Sequence, residues 1–188
     1  MNKTYKLACI AMLTALSIVA NLFTIPLSGS NSMSFTIAIC FFAGIYFGPI
    51  SGAVVGFMGD LIAHFIYPQG AYNIFLALST TLFGIIAGLF FKIRLPKLVN
   101  LCISAVTCFI VCMCGLNTFG LWLQYSLKIG LVEFINMDKS LIDSTFWAYL
   151  AGRAPWSAIN LVVNSVIVAG LLHSGAIAKL MTKLQRKG

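Results

Sequence analysis

The sequence predicts an all-α integral membrane protein, with six transmembrane helices in one compact domain over residues 1–188. Composition is the first reason. Hydrophobic residues make up 60% of the chain, charged residues only 9%, and the mean hydropathy is +0.99. A soluble domain carries about a quarter charged residues. Patterning is the second reason, because the apolar residues fall into runs near the length that crosses a bilayer core. The runs are roughly 5–25, 35–47, 50–66, 73–92, 97–125 and 154–178.

The first apolar stretch, roughly 7–27, is too long for a signal-peptide core and lacks a cleavage site, so it reads as a mature helix. Ala11 and Ala15, with Ala8 a turn earlier, put small residues on one face of it. The second run is short, and its span is expected to be incomplete. It meets the third at Phe47-Gly48-Pro49-Ile50-Ser51, where Pro49 suits a turn or a first helical position. Gly48, Gly52 and Gly56 recur every fourth residue, and Gly84 and Gly88 repeat the spacing in the fourth run. Such stripes permit close backbone approach, within this chain or against a membrane partner. The six cysteines all lie in apolar segments with no C-x-x-C pair, which fits small buried residues better than a metal or disulfide framework.

The net charge of +8 does not point to nucleic acid, because the cations sit between the apolar runs. With the N-terminus inside, nine of the twelve Lys and Arg residues fall on the cytoplasmic side, which favours six spans with both termini cytoplasmic. Three outer connections result, at 26–34, 67–73 and 126–152. They are longer and richer in polar and aromatic residues than the inner ones, as expected if the outer face carries recognition.

The strongest functional pattern is in the last run. Arg153, Ser157, Asn160 and Asn164 are spaced four, three and four apart, so they share one helical face. A polar stripe headed by arginine must turn away from lipid. Arg153 alone could snorkel to the headgroups. Asn160 and Asn164 lie deeper and need partners from helices, water or a ligand. Arginine presents a planar fork to carboxylates, and Trp156 offers a surface for stacking a ring. Asn117 and Gln124 are seven apart in the fifth run, near Trp122 and Tyr125. The aromatics also suit an interfacial belt. Asp60 and His64, four apart, read as a hydrogen-bonded pair, a ligand contact or a proton relay. No phosphate loop, GxSxG or HExxH is present, and of the four acids only Asp60 falls in a span. An enzyme is therefore not expected, and any active transport needs a partner or an ion gradient.

Several stretches together resemble a known family. They are Ala11-Met-Leu-Thr-Ala15, Gly44-Ile-Tyr-Phe-Gly-Pro-Ile-Ser-Gly-Ala-Val-Val-Gly-Phe-Met-Gly-Asp60, Gly70-Ala-Tyr-Asn-Ile-Phe75, Leu116-Asn-Thr-Phe119 and Arg153-Ala-Pro155. In order and spacing the chain resembles the substrate-binding S components of energy-coupling factor (ECF) vitamin transporters, and most nearly the folate family. The resemblance implies a six-helix subunit that captures a vitamin outside with high affinity. It implies partnership with a transmembrane coupling subunit and two ATPases, which use ATP, so that this chain needs no cofactor or metal. It also implies a multi-pass protein of a bacterial plasma membrane. Ala11 and Ala15 match the surface that docks the coupling subunit, and Arg153 matches the pocket arginine. The expected ligand contacts are Arg153, Trp156, Asn160, Asn164, Asn117 and Trp122. Tyr72, Asn73 and the first outer loop with Asn31 are expected to form a lid. The first outer loop has no arginine, and Asn160 and Asn164 stand where a further proline is expected. Another ring-bearing vitamin therefore stays open. So do a stand-alone transporter coupled to protons through Asp60 and His64, and a small membrane enzyme.

Overall fold

The computed structural model describes residues 3–28, 31–68, 72–93, 95–127 and 140–174. Helix α1, Lys3–Leu22, leads into an antiparallel hairpin of β1, Ile25–Ser28, and β2, Asn31–Met33. Helices α2, Thr36–Phe47, α3, Pro49–Ile66, and α4, Ile74–Phe90, follow. The next rod has four pieces. These are α5, Lys97–Cys108, a π-helical segment Phe109–Asn117, the short α6, Thr118–Leu121, and a second π-helical segment Trp122–Leu127. Helix α7, Ser140–His173, closes the described chain.

Among the described residues, four helices are long and apolar enough to cross a membrane. They are α1, α3, the rod over Lys97–Gln124 and α7 over Phe146–His173, while α2 and α4 are apolar but shorter. At 1.5 Å per residue α2 covers about 18 Å of a core of about 30 Å.

Helices α2, α3 and α4 cross at glycines. A Cβ on Gly44 would fall on the Gly84 carbonyl, and one on Gly52 would lie 2.8 Å from Gly84 Cα. A Cβ on Gly88 would lie 2.6 Å from Pro49 N. The stripes thus serve packing within the chain. Gly48 does something else: nothing lies within 4 Å of its Cβ position, but its φ of 94° is left-handed. Glycine is needed there for the turn that lets Pro49 start α3. Beyond the crossing, Phe41 meets Phe83 edge-on at 6.2 Å, in a core with Leu101, Cys108, Cys112, Leu161 and Val168. All six cysteines are free thiols.

Three sequence expectations change. The first outer connection is a hairpin rather than an irregular loop, with Pro26 opposite Ser32. A two-stranded sheet has only edges, so a proline without an N–H is tolerated there. The fifth segment is not a uniform α-helix, because nine and then six of its residues form π turns. The last helix starts at Ser140 and not near 154, so Pro155 sits inside it. Proline reads as a helix start because it lacks the N–H that an interior position donates. Here the helix continues past it. Residues 175–178 of the expected last run lie outside the described residues.

Candidate functional site

Helix α7 turns its polar stripe inward. Arg153, Ser157 and Asn160 are 7–8% exposed and Asn164 is fully buried, while Ile159, Val162 and Val166 are exposed. A spanning helix with a buried polar face directs that face to the protein interior. Trp156 departs from the stripe. It is 38% exposed and groups with the exposed side, so the structure does not bring its ring to Asn160.

Arg153 is only lightly held. Its Nη1 donates to the Tyr149 hydroxyl at 3.4 Å, a long contact, and its guanidinium carbon lies 5.7 Å from the Tyr149 ring centroid. Its Nε is buried with no hydrogen-bond partner among the described residues. A buried donor left unsatisfied costs about 1–3 kcal/mol, and more when charged. Tyr149 precedes Arg153 by four residues, a spacing the sequence offered. The sequence reads 126–152 as an outer connection with room for a helical turn or two, which does not join Tyr149 to the helix of Arg153.

Asn164 is the opposite case. Its Nδ2 donates to the Ser34 carbonyl at 2.9 Å and to the Asn160 carbonyl and Oδ1, both at 2.8 Å. Its Oδ1 accepts from the Ala38 N–H at 3.1 Å. Both amide hydrogens have protein acceptors, so this side chain has no donor left for a ligand in the described arrangement.

Asn117 ends the first π-helical segment, which packs on α7. Thr118 Oγ1 donates to the Met113 carbonyl, five residues back, at 2.7 Å. The wide turn leaves carbonyls that a side chain can reach, and such segments are frequent at functional sites. Asn117 Oδ1 is buried with no partner among the described residues. The α-helical spacing that put Asn117 and Gln124 on one face does not hold through the second π segment. Gln124 instead accepts from Asn73 Nδ2 at 3.0 Å.

The aromatic residues form one chain of contacts. Trp122, fully buried, meets Phe146 edge-on at 5.5 Å and Phe119 at 6.1 Å, and Phe119 meets Phe75 at 5.3 Å. Trp122 therefore packs among phenylalanines. Phe75 and Phe119 close two of the stretches that carry the resemblance but are not read there as site residues, and among fifteen phenylalanines nothing in the sequence marks Phe146.

The expected lid residues have fixed roles. Asn73 caps α4 by accepting from the Phe75 N–H at 3.1 Å, and its Nδ2 also donates to the Gly120 carbonyl at 2.8 Å. The Tyr72 ring lies 5.0 Å from the His64 ring. Asp60 accepts from Asn21 Nδ2 at 3.1 Å, linking α3 to α1. Asn31 pairs with Ser28 in the hairpin. Ala11 and Ala15 are exposed on α1. A separate apolar groove of about 500 Å³ lies between α1, α2 and the end of α7, lined by residues such as Leu16, Phe23, Phe42 and Ile167. None of the stripe residues lines it.

The fold and the inward polar stripe define a helical protein with apolar candidate spans and, among the described residues, buried polar atoms without partners. The family described as "ECF transporter, substrate-specific component" matches residues 5–172. The chain belongs to this family and is a substrate-binding S component of an ECF transporter. Two solved structures share the fold. The S component of a bacterial ECF transporter has a TM-score of 0.67 and 18% identity, covering 96% of this chain and 99% of its own. FolT bound with folic acid has a TM-score of 0.68 and 19% identity, covering 88% of this chain and 90% of its own. A comparison with curated proteins finds no match.

Proposed function

We propose that the chain is the high-affinity vitamin-binding subunit of an ECF-type importer, taking folate or a related pterin-like vitamin at the outer face of a bacterial plasma membrane. The observation that carries this reading is a buried donor and a buried acceptor without partners among the described residues, Arg153 Nε and Asn117 Oδ1, on two elements that pack together. A heteroaromatic ligand with acceptor and N–H edges satisfies both, and folate also brings carboxylates for the arginine fork. The shared fold with a folic-acid-bound protein supports the ligand class. Asn160 and Ser157 continue the wall, and Trp122 adjoins it through Phe146 of α7, while Trp156 lies on the exposed side. Tyr72, Asn73 and the hairpin with Asn31 lie at the ends of the neighbouring elements.

In this reading the chain makes six membrane passages with both termini cytoplasmic. Ala11 and Ala15 dock a transmembrane coupling subunit that works with two ATPases, and this chain holds no cofactor of its own. A different ring-bearing vitamin is the second reading, favoured by the arginine-free first outer connection. Mass spectrometry of small molecules released from the purified protein tests both. A pterin supports the first reading, another vitamin selects the second, and lipid alone contradicts both.

A further inference from the structure

The corner between the hairpin and α2 is non-helical backbone in a membrane-embedded protein. Backbone polar groups at membrane depth must find partners within the protein. Asn164 lies eleven residues beyond Arg153, hence about 16 Å further along the helix axis. At that level a single carboxamide bonds both sides of the corner, the Ser34 carbonyl and the Ala38 N–H. Ser34 is also tied elsewhere. Its hydroxyl lies 2.7 Å from Thr36 Oγ1, accepts from the Thr36 N–H at 3.2 Å and reaches the Ala20 carbonyl at 3.4 Å. The corner is thus held by α1, α2 and α7.

The hydrogen-bond count at Asn164 supplies a coupling. Two amide hydrogens face three acceptors, the Ser34 carbonyl and two oxygens of Asn160, all at 2.8–2.9 Å. A ligand N–H that bonds Asn160 Oδ1 draws on the same oxygen that holds an Asn164 hydrogen, so occupancy at Asn160 bears on how the two hydrogens divide among the three acceptors, the Ser34 carbonyl included.

We infer that Asn164 is a positioning residue, a latch that fastens the base of the β1–β2 hairpin to the pocket wall on α7 and links hairpin position to ligand occupancy. The inference rests on the proposal that the α7 stripe lines the binding pocket. The test is hydrogen exchange followed by mass spectrometry on the full chain in lipid nanodiscs, with folic acid as the probe ligand. N164L, close in size but unable to bond, is expected to speed exchange over residues 25–38 at least tenfold while leaving 74–90 unchanged. Folic acid is expected to leave N164L about tenfold faster at an unaltered association rate. N164D keeps the acceptor for Ala38 and loses the donor for Ser34, so it is expected to fall between. Hairpin exchange in N164L within twofold of the wild type overturns the latch. If N164L does not insert, wild-type exchange rates over 25–38 in N164D overturn it equally. If the wild type binds no folic acid, the proposed ligand fails, while ligand-free exchange still decides the latch.

Discussion

Asn73 Nδ2 donates to the Gly120 carbonyl at 2.8 Å, and this bond fixes the start of α4 against the rod that carries Asn117. The same side chain caps α4 and bonds Gln124, so one residue sets the spacing of two walls. Asn73→Ala is expected to cost about 1–2 kcal/mol, combining a lost cap with the lost bonds to Gly120 and Gln124. Thermal unfolding in detergent measures it. An unchanged midpoint would mean that the α4 contact does not depend on Asn73.

Gly120 is constrained by the same contact. A Cβ there would lie 2.6 Å from Phe75 Cβ and 2.8 Å from Asn73 Oδ1, so Gly120→Ala must push α4 outward. The expected loss is about 1–3 kcal/mol. At Gly84 a Cβ would meet Gly52 backbone, which has less room to yield, and Gly84→Ala is expected to lose at least as much. Gly152→Ala meets nothing within 4 Å and sits inside α7, so it should be neutral or gain about 0.5–1 kcal/mol. Equal effects at Gly84 and Gly152 would contradict the three-helix crossing.

Ala11 and Ala15 are exposed on α1, which has Ser17 as its one buried residue. Enlarging both to leucine should leave thermal stability and folic acid binding within about 0.5 kcal/mol of the wild type. Uptake with a coupling module should be abolished. Normal uptake by the double variant would remove α1 from the docking surface.

Asp60 separates an ATP-coupled from a proton-coupled account. Asp60→Asn keeps the acceptor oxygen that Asn21 uses and removes the titrating group. Binding and module-dependent uptake are expected to persist. Uptake by the wild type in cells without a coupling ATPase, lost in this variant, would point to a stand-alone proton-coupled transporter.

The sequence revealed much of this architecture because lipid imposes simple rules. Apolar length marked the runs that hold α1 to α5 and the inner part of α7, the glycine stripes marked the α2–α3–α4 crossing, and the four-three-four polar spacing found the buried face of α7. Misjudgements arose where local chemistry has two meanings. Pro155 looks like a helix start, yet α7 runs through it from Ser140. Gly48 fits a packing stripe, yet it serves a left-handed turn. Periodicity presumes 3.6 residues per turn, so the π segments around Asn117 could not be anticipated. Asn164 bonds Ser34 and Ala38 across more than a hundred residues, and spacing on one helix says nothing about partners on another.

The central claim is that the inward face of α7 binds a folate-like vitamin through Arg153. Calorimetric titration of folic acid into the purified wild type and Arg153→Ala tests it most directly. The expected result is tight binding by the wild type and a loss of about 1.5–3 kcal/mol in the variant, the scale of a hydrogen bond to a charged group. The two unfolding midpoints should agree, because among the described residues the hydrogen bond of Arg153 is a long one, to Tyr149. Equal affinity in both proteins, or no heat of binding in the wild type, would contradict it.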